Sequence, residues 1–247
     1  MDGKTPDLAG GIVLSDAHLH IQGKAVLSGI SLHLTEPRIG IIGRNGSGKT
    51  SLLRLMAGLV APSRGTVRVD GLDPARDRKA LLARLGILFQ NPDHQILFPT
   101  VLEELAFGLR QMGATEAMAR ARAQDCLVAE GRAHWAEAPT ASLSQGQRHY
   151  LCLLAVLLMQ PATILLDEPL AGLDLPTQAR LTRRFAGLAQ RVVTISHDPA
   201  AVAGCDRLVW LDAGRVLADG PPAAVLPDFT ARMTRIGEDD ADADLAG

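Results

Sequence analysis

Ala17-His18-Leu19-His20-Ile21 and Ile30-Ser31-Leu32-His33-Leu34 alternate apolar and polar residues, so every second side chain of each falls on one face. That period predicts half-buried strands. With Ile12-Val13-Leu14 ahead of them and a turn at Gln22-Gly23-Lys24, they predict a small antiparallel sheet. From Arg38 the pattern changes to short unbroken apolar runs at 38–42, 86–90, 163–167 and 191–197, as expected of strands covered on both faces. Between these runs the apolar residues take helical spacing: 51–58, about 77–85, 101–112, 115–130 with Thr115 as N-cap, 144 to about 159, and 175–190. Ser144 and Gln147 fit a capping box. A further strand is expected at 66–71, after the turn Pro62-Ser63-Arg64-Gly65, and a hairpin at 207–219 around Ala213-Gly214. Strands alternating with helices predict an α/β fold built on a mainly parallel sheet. The stretch about 91–158 carries little strand signal and reads as a helical subdomain inserted into a main domain of residues 1–230. Residues 231–247 read as an acidic, disordered tail, since Glu238 to Asp244 offers no apolar face.

A chain of 247 residues with 47% hydrophobic content suffices for one large domain with an insertion. The formal net charge of -2 gives no global basic field, so no nucleic-acid partner is expected. Three scattered cysteines, Cys126, Cys152 and Cys205, form no C-x-x-C and suggest neither disulfides nor zinc. The first residues lack a secretion signal, and the longest apolar run, 151–159, is well short of the ~20 residues that span a bilayer. A membrane role must then come through a partner.

The chemistry concentrates in Ile41-Ile42-Gly43-Arg44-Asn45-Gly46-Ser47-Gly48-Lys49-Thr50-Ser51, which fits G-x-x-x-x-G-K-[ST] between a predicted strand and a predicted helix. Its glycines let backbone N–H groups converge on phosphate, and the helix start adds its positive end. Lys49 is expected to reach the terminal phosphates, and the Thr50 hydroxyl to ligate Mg2+. Asp167-Glu168 ends an apolar strand, at the edge where parallel sheets collect ligand-binding groups. Alone it is an ordinary strand-to-turn sequence; beside a phosphate loop, Asp167 becomes a candidate Mg2+ ligand and Glu168 the base for an attacking water. His197 and Gln90 occupy similar strand ends. A neutral His197 imidazole is expected to bond the γ-phosphate or the attacking water, and Gln90 to sense Mg2+ or water.

In this order, the phosphate loop, Gln90, Leu143-Ser144-Gln145-Gly146-Gln147, 163–168, Ala171-Gly172-Leu173-Asp174 and His197 resemble the ATP-binding cassette of ABC transporters over roughly Gly11 to Gly220. The resemblance implies a P-loop NTPase core with a flanking antiparallel β subdomain. It further implies that ATP and Mg2+ lie between two cassettes, with Ser144, Gly146 and Gln147 of one copy facing the phosphate loop of the other, and Asp174 at the dimer interface. Two positions depart from the family. Gln145 stands where the signature usually has its first glycine, and His20, or failing that His18, stands in for the aromatic residue that stacks on adenine. Phe89-Gln90-Asn91-Pro92-Asp93-His94-Gln95 and 99–108 look like the ATPase of energy-coupling factor importers of vitamins or transition-metal ions. That resemblance implies a groove near Gln90–Glu104 for transmembrane subunits, a head-to-tail homodimer, and a peripheral place on the cytoplasmic face of the inner membrane. Cobalt, nickel and biotin are the candidate cargoes. The competing reading is a soluble ABC ATPase acting on DNA or ribosomes, against which stand the charge balance and the lack of a second cassette or long heptad insertion.

Overall fold

The structure is a computed structural model that describes residues 10–238. In chain order, β1 (Ile12–Ile21), β2 (Lys24–Leu34) and β3 (Arg38–Ile42) precede α1 (Lys49–Met56). Then come β4 (Arg64–Val69), α2 (Arg78–Leu81), β5 (Leu85–Leu88), α3 (Val101–Gln111), α4 (Glu116–Ala129) and α5 (Gln145–Leu158). The chain continues through β6 (Thr163–Asp167), α6 (Leu175–Ala186), β7 (Arg191–Ser196), α7 (Pro199–Val202), β8 (Arg207–Asp212), β9 (Arg215–Gly220) and α8 (Pro222–Glu238).

The alternating strands form the expected antiparallel sheet, in the order β2-β1-β4. Gln22 and Gly23 both take positive φ, 49° and 79°, as a two-residue hairpin turn with the strands' own twist requires. The apolar runs form a six-stranded sheet in the order β5-β6-β7-β3-β8-β9, parallel except for the last pair. Ile39 and Ile41 of β3 face a core shared with α1 and the antiparallel sheet, while Ile42 faces Val202, Trp210 and Phe229 beneath α7 and α8. Gly40 makes that second contact possible, because a Cβ there would lie 2.9 Å from Val202 Cβ. Residues 101–158 contribute three helices. Their central member, α5, is buried on two sides: Leu151 and Leu154 join the helical core, Leu153 and Val156 the core under β6.

Arg191 ties the two sheets together from a fully buried position. It donates to Gly10 O at 3.0 Å, Thr35 O at 3.3 Å and Thr163 Oγ1 at 3.1 Å, with Asp70 Oδ1 at 3.8 Å. Burial pulls its pKa down, opposed by the charges of Asp70 and Glu36.

The helix expected at 77–85 is only α2, because Leu85 is drawn into β5, where it pairs with Thr163. The helix expected to reach 190 stops at Ala186. The Arg38 guanidinium accounts for the stop: it donates to the carbonyls of Ala186 (3.1 Å), Leu188 and Gln190 (2.8 Å), which a continuing helix would need. Residues 231–238, assigned from sequence to the tail, are the last turns of α8, and the rest of that segment lies outside the described residues.

Candidate nucleotide site

The loop between β3 and α1 is shaped by its glycines. A Cβ on Gly43 would sit 2.2 Å from Leu211 O, and Gly46 and Gly48 have φ of 79° and 102°. Gly48 is the N-cap of α1 and no side chain caps that helix, so its dipole end faces the loop. Inside the loop, Lys49 Nζ donates to Gly43 O at 2.7 Å and Arg44 O at 3.0 Å. Among the described residues the buried Ser47 hydroxyl finds no hydrogen-bond partner. A lysine folded back onto two loop carbonyls, a helix start without a side-chain cap and a buried hydroxyl left unsatisfied together suit an anion. Asn45 lies exposed on the loop and Ser51 half-buried in the first turn of α1.

Asp167 closes the floor. Its Oδ1 accepts from Thr50 Oγ1 at 3.4 Å, and its carboxyl is held above the usual range by burial and by the neighbouring Glu168 charge, opposed by Thr50, Arg54 and Lys49. Lys49 is correspondingly pushed down by burial and pulled back up by Glu168 and Asp167, with Glu168 Oε1 at 3.9 Å. Thr50 and Asp167 place a hydroxyl and a carboxylate side by side, the hard oxygen donors that Mg2+ takes, so the donor set fits that cation. Among the described residues no cluster of three or more His, Cys, Asp or Glu offers a competing metal site.

Glu168 has φ of 47°, a left-handed conformation uncommon for a residue with a side chain, fixed by its N–H bond to Ile195 O at 2.9 Å. From there its carboxylate receives two bonds from the end of β7: Ser196 Oγ at 3.0 Å on Oε2 and His197 Nδ1 at 2.8 Å on Oε1. A carboxylate only accepts, so Nδ1–H is the donor and a neutral ring keeps its free lone pair on Nε2. Ser196, buried at the end of an apolar strand, was missed in the sequence; its position next to His197 was the available signal.

The other predicted residues gather elsewhere. Ser144 and Gln147 form the capping box of α5: Gln147 N donates to Ser144 Oγ (3.3 Å), and Ser144 N to Gln147 Oε1 (2.7 Å). Asp174 caps α6 by accepting from Thr177 N at 3.1 Å, and bonds from the Thr177 side chain and backbone hold its carboxyl below the usual range. Gly146 lies against Thr177, since a Cβ there would be 2.8 Å from Thr177 Cγ2. Gln90 follows β5 and lines an open cleft with Gln145, Ala171 and Gly172. His20 pairs with Ala25 at the far end of β1, two residues before Leu27, whose Cδ2 lies 3.0 Å from where a Gly48 Cβ would be. His18 is engaged by Asp16 Oδ1 at 3.0 Å, whereas the His20 ring is exposed.

Comparison with known proteins identifies the family. The model of the ABC transporter family matches residues 27–171. The biotin transport ATP-binding protein BioM of Rhodobacter capsulatus is 54% identical, over 87% of this chain and 92% of that protein. The cobalt import ATP-binding protein CbiO of Syntrophus aciditrophicus is 34% identical, over 87% and 80%. Among solved structures, cbiO1 of Clostridium perfringens, described as part of the transporter complex cbiONQ, superposes with a TM-score of 0.76 at 28% identity, covering 93% of this chain and 98% of that one. A dimeric ATP-binding cassette in a post-hydrolysis state with ADP and Pi gives 0.73 at 25% identity, over 85% and 98%. The chain belongs to the ABC transporter family, as an ATP-binding and ATP-hydrolysing subunit.

Proposed function

We propose that the chain is the motor subunit of an energy-coupling factor importer, that it works as a head-to-tail homodimer peripheral to the cytoplasmic face of the inner membrane, and that the cargo is biotin before cobalt or nickel. The similarity to BioM over nearly the full length of both chains carries the reading. No described helix is long and apolar enough to cross a membrane; the reading assigns the crossing to transmembrane partner subunits. The reading keeps one nucleotide-binding domain, with the helical subdomain inserted at about 91–158.

A docking face for those subunits lies near Gln90–Glu104. Buried Glu104 accepts from Leu97 N (2.8 Å) and Phe98 N (3.0 Å), and Gln95 bridges Phe89 N (3.2 Å) and Ile87 O (3.2 Å). The loop is thus rigid while the Leu97 side chain stands 67% exposed.

Within the site, Gly43, Asn45, Gly46, Ser47, Gly48, Lys49 and Ser51 bind the phosphates of ATP, and His20 stacks on the base. Thr50, Asp167 and Gln90 would hold Mg2+, which when bound neutralises phosphate charge. Glu168 takes the proton of the attacking water. His197, donating to Glu168 through Nδ1, keeps the carboxylate oriented and leaves Nε2 for the γ-phosphate or that water. Ser144, Gly146, Gln147 and Asp174 of the second copy complete the site. The Ser144 hydroxyl can accept from Gln147 N and still donate its own proton to phosphate.

Co-expression with candidate transmembrane importer subunits, followed by uptake assays with labelled biotin and cobalt, tests the proposal. ATP-dependent biotin accumulation is expected. Purification with ribosomes or DNA and without membrane proteins would instead support the soluble reading.

A further inference from the structure

Gln145 occupies the first helical position of α5, and neither the capping box nor the phosphate chemistry uses its side chain. Glycine at this position would present bare backbone to the cleft; here a long side chain enters it. Gln145, Gln90, Ala171 and Gly172 line that cleft, a cavity of about 580 Å³. Across it, Gln145 Nε2 lies 3.5 Å from the point a Cβ on Gly172 would occupy, ordinary packing distance, and Gly172 has φ of 72°. The segment it covers is clasped from the other side as well, because Gln178 Nε2 of α6 donates to Leu170 O at 3.3 Å and Leu173 O at 2.8 Å. One residue further along α5, Gly146 packs on Thr177, the residue whose N–H caps onto Asp174. Within one subunit the start of α5 therefore meets α6 at Gly146 and Thr177, while Gln145 ends beside the loop that leads into α6.

We propose that Gln145 is a positioning residue for ATP hydrolysis: laid over Gly172, it fixes the spacing between Ser144 and Asp174 so that both meet the phosphate loop of the second copy together. The inference rests on the shared-site reading above. It assigns Gln145 no contact with the nucleotide. Gln145 is placed here by its reach toward Gly172, so side-chain length matters more than the amide.

Steady-state hydrolysis by the full chain tests this with Gln145→Ala, Gln145→Met, Gly172→Ala and the double variant Gln145→Ala/Gly172→Ala. Gln145→Ala is expected to lower kcat about 10-fold, within the ~10^2-fold that a misplacement of ~1 Å can cost, with KM for ATP and Tm unchanged. Gln145→Met, similar in length and without the amide, restores most of the rate. The double variant falls no further than the worse single, the non-additivity of two residues acting through one contact. Wild-type kcat in Gln145→Ala overturns the inference; so does a loss carried by KM, which means a nucleotide contact, or by Tm, which means a merely structural role. Dilution of the wild-type protein separates this from the parent reading. If the rate per subunit does not fall on dilution, the shared site itself is wrong. If it falls, and Gln145→Ala at saturating protein concentration still turns over like wild type, only the role of Gln145 is lost.

Discussion

The candidate catalytic group is a carboxylate held by its neighbours. Glu168 sits in a left-handed backbone conformation between Ser196 and His197, so its orientation is fixed before any nucleotide arrives. Glu168→Gln should bind ATP with near-native affinity and hydrolyse it about 10^2- to 10^4-fold more slowly, measured by phosphate release against equilibrium nucleotide binding. Lys49→Ala should fail at binding itself. The phosphate loop, Asp167 and Glu168 were legible because their spacing is a local pattern. Ser196 was not, because its role depends on two strands brought together only by the sheet register Asp167↔Ile195. A second readable residue is Tyr150, the single tyrosine of the chain. Burial, then its bond to Glu130, push its pKa up to about 12. A folded-state pKa above the ordinary ~10 means the stabilisation is whole below pH ~10 and is lost as pH rises through the folded value. Absorbance near 295 nm, with one tyrosine to report, should show phenolate appearing near pH 12 in the folded protein and near 10 in denaturant. Coincident titrations would remove the Glu130 bond.

At the scale of elements, α3, α4 and α5 and the strands β6 to β9 were read to within about a residue, whereas β2 begins at Lys24, well ahead of its alternating stretch at 30–34, and the larger errors have physical causes. α6 ends early because Arg38, distant in sequence, takes the carbonyls that would have extended it. α7 and α8 were not anticipated: α7 is a single short turn, and Pro227 inside α8 reads as a break. Two predictions belong here. Ser144→Ala removes one half of the capping box and should destabilise the protein by about 1 kcal/mol, seen as a lower denaturation midpoint, while also slowing hydrolysis. Leu97→Glu places a charge on the exposed face of a rigid loop; it should abolish co-purification with the transmembrane subunits and leave basal ATP hydrolysis unchanged. Retained co-purification would move the docking face elsewhere.

For the whole molecule, the sequence conveyed the two-sheet plan but not how the sheets are joined, since Arg191 looks like an ordinary strand-starting arginine until four segments close around it. The pairing of copies was carried by resemblance rather than by any local pattern. Its measurement is simple: hydrolysis per subunit should fall as the protein is diluted, and a concentration-independent rate for the monomer would contradict a site shared between two chains.

The buried Arg191 carries one more implication, for how the chain reaches its native state. A cation withdrawn from water is tolerated only while its acceptors are in place, and stripping partners from a buried charge typically costs ~3–5 kcal/mol. Gly10, Thr35 and Thr163 come from three remote parts of the chain, so an N-terminal strand docked one residue out of step would draw Gly10 O away from the guanidinium. That lost acceptor adds to the cost of misplaced apolar side chains, so the buried charge favours the native register.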